Sequence, residues 1–122
     1  PLISLYPRSA LRGGRENRLE VPSGTRLIHL VLTTDDLLRG DDYQLVIEDA
    51  AGREVLSLAG LRPTTVGTFS IGIPAARVPP GDYELRLFRR TEGKRTLFHE
   101  YPLKVVATEG AGPRVTTRQR PS

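Results

Sequence analysis

Val78-Pro79-Pro80-Gly81-Asp82-Tyr83-Glu84-Leu85-Arg86-Leu87 is the stretch that decides the fold class. The two prolines fix φ and remove two backbone donors, so no regular element runs through them. Gly81-Asp82 supplies the chemistry of a tight reversal. Strict alternation then begins, with Tyr83, Leu85 and Leu87 on one side and Glu84 and Arg86 on the other. A period of two after a turn predicts a half-buried antiparallel strand whose inner face carries Tyr83, Leu85 and Leu87. Tyr83 stands where the tyrosine of a tyrosine corner stands, with its hydroxyl predicted to bond back toward the turn.

Working outward, the same period recurs. Leu2 to Tyr6 reads as a short first strand closed by Pro7, and Leu19-Glu20-Val21 as a second, ended by Pro22. Residues 26–33 form the strongest strand. Ile28, Leu30 and Leu32 share one face, while Leu27 and Val31 make the other partly apolar, as in a strand covered on both sides. Tyr43, Leu45 and Ile47 alternate next and point inward. Gly52 follows in a hairpin turn that favours positive φ. Strands are then predicted over 53–58 and 66–73, the latter with Phe69, Ile71 and Ile73 inward. A last hairpin pairs 82–90 with 96–106 across Thr91-Glu92-Gly93-Lys94, with Leu103 and Val105 entering the core. Residues 33–40 have the signals of one helical turn, capped by Thr34 or Asp35 and stopped at Gly40. The sum is an all-β, immunoglobulin-like antiparallel β-sandwich of seven to nine strands. Residues 1–106 form the domain. Residues 107–122, with Val115 their only large apolar side chain, read as a flexible basic tail or linker.

The chain has 122 residues, enough for one core without staples. It has no cysteine, which excludes a disulfide framework, a thiolate zinc site and a thiol nucleophile. It also has no methionine, position 1 included, so the chain is expected to be part of a longer protein. No apolar run is long enough to span a bilayer. The net charge of +4 is carried in good part by Arg8, Arg12, Arg15 and Arg18 and by Arg114, Arg118 and Arg120. No aromatics interleave these arginines to stack bases, so specific nucleic-acid binding is not expected.

One combination of motifs points to a family. Asn17-x-Leu19-x-Val21-Pro22-x-Gly24 precedes the alternating Leu27 to Leu32; Tyr43-x-Leu45-x-Ile47 follows, with Gly52; and Val78 to Leu87 completes the series. This resembles the extracytoplasmic β-sandwich region of bacterial, acidobacterial-type, zinc-finger anti-sigma-factor-like proteins, over about residues 1–106. In that family a His/Cys zinc module binds the sigma factor in the cytoplasm, and a membrane helix often follows. None of the zinc-module residues is present here. The resemblance therefore implies the sensing or interaction half alone, in the periplasm or at the cell surface.

Candidate sites are few. Asp35, Asp36, Asp41 and Asp42 cluster in sequence, but without the Asp-x-Asp-x-Asp spacing of a calcium loop, so they read as a solvated acidic turn. Arg39-Gly40-Asp41 spells an integrin-type tripeptide, and Gly40 is accounted for as a helix stop. His29 and His99 are the only histidines, too few and too far apart for a zinc site. His29 faces away from the core; His99 shares parity with Tyr101 and Leu103. Ser4, Ser57 and Ser70 lack a nucleophile-elbow context, and no glycine-rich segment has phosphate-loop spacing. No cofactor or small-molecule ligand is implied, and no enzyme activity is expected.

The sharpest feature is an apolar mismatch. Phe88 and Phe98 have the outward parity of their strands and face each other across the hairpin, and Val46 is outward on the neighbouring strand. Together Val46, Phe88 and Phe98 form a protein-binding patch on the outer face of one sheet. The alternative is a local bulge that turns the phenylalanines inward, or cover from the loop 8–18 or the tail. The expected function is a non-catalytic protein-interaction or sensing module that binds a protein partner or itself, through that face or by β-augmentation of an exposed edge strand. The second possibility is a structural subunit of a surface assembly, pairing through its terminal segments.

Overall fold

The computed structural model describes residues 2–11, 13, 15–33, 42–64 and 67–108. The helical turn at 34–40, Asp35, Asp36, Asp41, the Arg39-Gly40-Asp41 tripeptide, Val66 and the chain after Thr108 lie outside these residues. Eight strands follow in order: β1 Leu2–Leu5, β2 Arg18–Pro22, β3 Leu27–Leu32, β4 Asp42–Asp49, β5 Glu54–Leu61, β6 Phe69–Pro74, β7 Gly81–Thr91 and β8 Lys94–Thr108. Single 3-10 turns occupy Arg8–Ala10 and Ala75–Arg77. The strands form two layers, a three-stranded sheet in the order β1-β3-β6 and a five-stranded sheet in the order β2-β8-β7-β4-β5.

The inner rows are those that the alternation predicts. Ile28, Leu30 and Leu32 of β3 and Phe69, Ile71 and Ile73 of β6 are buried against Tyr43, Leu45, Ile47, Tyr83, Leu85 and Leu87. Burial of these side chains is the main source of stability, at roughly 1.5–3 kcal/mol for each large aliphatic removed from water. The tyrosine corner forms: the Tyr83 hydroxyl donates to the Pro79 carbonyl. A second tyrosine ties the layers together, as the Tyr101 hydroxyl donates to the Thr33 carbonyl at 2.8 Å.

Two features differ from the expected all-antiparallel sandwich. First, β1 pairs with β3 in parallel and β2 pairs with β8 in parallel. Both follow from the chain changing layers between Tyr6 and Asn17. Asn17 fixes that crossing. Its buried side-chain amide donates to the Tyr6 and Pro102 carbonyls at 2.9 and 2.8 Å, its oxygen accepts from the Tyr6 N–H at 3.0 Å, and its own carbonyl accepts from the Lys104 N–H at 2.9 Å. Second, β8 continues through Ala107 and Thr108, which pair with Val21 and Pro22. The ordered strand therefore runs two residues into the segment read as tail.

The turns follow local chemistry. Gly52 has φ of 81°, as the hairpin requires. The β7–β8 hairpin turns on two residues, Glu92 at φ 52° and Gly93 at φ 80°, between paired Thr91 and Lys94. Two consecutive positive φ values define the turn whose twist matches that of paired strands.

Removing the Asn17 side chain strands three backbone groups in a part-buried site. Asn17→Ala is expected to cost about 2–3 kcal/mol, read as a lower urea midpoint with unchanged m-value. Tyr83→Phe is expected to cost about 1 kcal/mol at neutral pH. Burial first, and the Asp49 charge second, hold the Tyr83 hydroxyl above its ordinary value. The protonated hydroxyl is thus favoured in the fold, and its stabilisation is present below the unfolded tyrosine value of about 10 and lost as pH rises through the folded one. The stability gap between wild type and Tyr83→Phe should close in alkaline denaturation series above that value.

Candidate interaction surface

The outer face of the five-stranded sheet is set by an irregularity at the top of the last hairpin. Leu87 pairs with His99, and Phe88 with Leu97, so Phe98 is the extra residue of a β-bulge on β8. A bulge leaves one residue unpaired and inverts side-chain parity beyond it. Phe98 consequently turns toward the core, its ring centroid 5.6 Å from that of Tyr43, which in turn meets Phe69 edge-on at 5.0 Å. Leu97 takes the outward position opposite Phe88 and is 46% exposed.

The expected patch of Val46, Phe88 and Phe98 is therefore corrected in one member and thinned in another. Phe98 packs on the core. Val46 keeps its outward register between Ser57 and Arg86 but is only 5% exposed. Phe88, half-buried, and Leu97 form the apolar part of the surface that remains.

Around and below Val46 the face is closed by charge pairing. The Arg86 guanidinium bridges three strands, with Nη1 2.6 Å from Glu48 Oε1 and Nε 3.2 Å from Glu100 Oε2. The hydrogen bond to Glu100, and then the Glu48 charge, hold Arg86 above its ordinary value despite some burial. Gln44 and Ser57 join at 3.0 Å, and Arg8 reaches from the 3-10 turn to Glu84. At this end Arg8, Arg86, Gln44 and Ser57 find partners within the chain, while the buried Glu84 Oε2 has none.

At the hairpin end, Arg90, Lys94 and Arg95 lie close in sequence with Glu92 among them, and Asp42 of β4 stands opposite Arg90. Arg95 lies over the Phe88 ring at 4.2 Å from guanidinium carbon to centroid, and Arg89 over Phe98 at 5.8 Å. Stacking on a ring restrains a guanidinium while leaving its in-plane N–H donors directed outward, the geometry that a carboxylate accepts in pairs. Among the described residues Arg90, Lys94 and Arg95 make no ion pair.

No protein-family model and no curated protein matches the chain. Among solved structures, CopC from Methylosinus trichosporium OB3b is similar at 15% identity over 80% of this chain and 91% of that one, with a TM-score of 0.43.

The other candidates do not converge. His29 is exposed on the outer face of the three-stranded sheet, as its parity predicts. His99 lies half-buried in the other sheet, 4.6 Å from the Phe98 ring and 6.1 Å from Tyr101. Asp42 is exposed at the start of β4. Among the described residues no three His, Asp or Glu side chains come together as a metal would need. Leu97 and Arg95 are the surface residues that the parity argument misses. Arg89-Arg90 and Lys94-Arg95 flanking a two-residue turn are the sequence signal that marks them.

Phe98→Ala removes a ring that closes the core beside Tyr43 and is expected to cost about 2–3 kcal/mol, less than a fully buried phenylalanine. Phe88→Ala is expected to cost under about 1 kcal/mol, because its ring borders solvent. Urea titration of the two single variants measures the difference. Equal costs would place both rings on one face.

Proposed function

We propose that this chain is a non-catalytic protein-interaction module whose docking surface is the hairpin end of the five-stranded sheet, built on Phe88, Leu97 and Arg95 and rimmed by Arg90 and Lys94. The observation that carries this reading is Arg95 stacked on Phe88. It joins a restrained carboxylate-binding fork to an apolar neighbour, Leu97, beside Arg90 and Lys94, which make no ion pair among the described residues. The partner that fits is an acidic protein segment with an apolar side chain beside its carboxylates. Arginine and aromatic residues are the types that carry most binding energy at such interfaces. A nucleic-acid partner fits less well, since Arg95 covers one face of Phe88 and Phe98 packs on Tyr43, leaving little ring surface for base stacking.

The setting we infer is extracytoplasmic, within a larger secreted or membrane-anchored bacterial protein. The motifs shared with the β-sandwich region of zinc-finger anti-sigma-factor-like proteins support it, and among the described residues no helix is long and apolar enough to cross a membrane.

Selection from a displayed peptide library on the purified chain tests the reading. Enrichment of peptides that combine Asp or Glu with a large apolar residue is expected. Their affinity should fall at least tenfold in Arg90→Glu/Arg95→Glu and fall with added salt, while the melting temperature stays within a few degrees. Failure to enrich acidic peptides, or binding indifferent to the double charge reversal, would sink it.

A further inference from the structure

Among the described residues, the opposite layer ends in a strand edge that differs from the other sheet edges. Edge strands present unpaired N–H and C=O groups, and proteins commonly blunt them with charge, bulges or shortness. Edge β2 carries Arg18 and Glu20. Edge β5 has Glu54 and is disrupted by two register shifts against β4. Edge β1 has four residues. Edge β6 has six residues, Phe-Ser-Ile-Gly-Ile-Pro, pairs with β3 without a register shift and carries no charge.

The phase of its backbone follows from one bond. The Ala75 N–H donates to the Arg26 carbonyl at 2.9 Å, one step beyond the Leu27–Pro74 pair. Antiparallel pairs alternate between bonded and non-bonded, so Ile73, Ile71 and Phe69 turn their backbone groups toward β3, and Ser70, Gly72 and Pro74 turn theirs to the free edge. Ser70 and Gly72 each offer both an N–H and a C=O there; Pro74 offers a carbonyl alone.

We infer that β6 pairs antiparallel with β6 of a second copy of this chain, Ser70 opposite Gly72 of the other copy and Gly72 opposite its Ser70. The arrangement is its own complement under a two-fold axis, supplies four N–H···O bonds, and joins two three-stranded sheets into one of six strands. The ladder stops at Pro74, which has no N–H to give. Charge favours this edge for self-pairing. Each copy carries a net +4, yet Leu27, His29 and Val31 of β3 and Ser70, Gly72 and Pro74 of β6 place no carboxylate, ammonium or guanidinium on the adjoining face. Two like-charged molecules therefore meet least repulsion here. An edge contact is small, so the dimer is weak.

Sedimentation equilibrium of the full chain from about 10 μM to about 1 mM reads this directly, over the span where a weak, small interface changes occupancy. The weight-average mass should rise toward that of a dimer. Ser70→Lys, on the exposed outer face, should weaken association at least tenfold, whereas the same charge added by Thr96→Lys on the other sheet should not. The chain has no cysteine, so Ser70→Cys/Gly72→Cys under mild oxidation provides a second readout. Opposed residues of a bonded pair lie about 5.5 Å apart, within disulfide reach, and a covalent dimer should form much faster than from Ser70→Cys alone. A monomer at the top concentration, association unaffected by Ser70→Lys, or equal crosslinking of the single and double cysteine variants would overturn the pairing. Binding of an extended peptide from another protein to this edge, with the chain itself monomeric, would overturn it too.

Discussion

Register on β7 is the constraint on which the rest of this molecule depends. Tyr83, Leu85 and Leu87 form the middle row of the five-stranded sheet, and β8 and β4 take their positions from it on either side. A slip of one residue would put that row in water and drive Glu84 and Arg86 into the core. Two devices prevent it. The prolines and Gly81 end one segment at a fixed place, and the Tyr83 hydroxyl locks the first inward residue to the Pro79 carbonyl. Everything on the outer face inherits this setting, including the Glu48–Arg86–Glu100 bridge and the stack of Arg95 on Phe88.

Much of the fold was legible because period two is a direct readout of which side chains face the partner sheet. Ile28-Leu30-Leu32, Tyr43-Leu45-Ile47, Phe69-Ile71-Ile73 and Tyr83-Leu85-Leu87 all lie where alternation puts them. Strand direction was not legible. Alternation is blind to whether a neighbour runs parallel or antiparallel, so the pairings β1–β3 and β2–β8 had no signal of their own. Asn17 was read only as the head of a motif, with no sign of the layer change; its role as a hydrogen-bonding pivot depends on Pro102, distant in sequence.

The proposed interaction surface was half legible for a related reason. Phe88 and Val46 were assigned correctly to the outer face, but parity predicts only an unbroken ladder. One extra residue on β8 reversed the expected direction of Phe98 and gave its place to Leu97. The charge pattern carried what parity lost: two basic pairs flank a turn, and a two-residue hairpin brings Arg95 beside Phe88. The same bulge serves the core, since the displaced Phe98 fills space against Tyr43 at the open end of the sandwich.

The parallel contact between β2 and β8 has a mechanical consequence. Arg18 lies beside Lys104 and Pro22 beside Thr108, so the chain enters β2 at one end of the contact and leaves β8 at the other. A stretching force transmitted along the backbone would pull the two strands past each other lengthwise, straining all the rungs between them together instead of peeling them apart singly. A load applied between Arg18 and Thr108 would therefore meet that contact in shear.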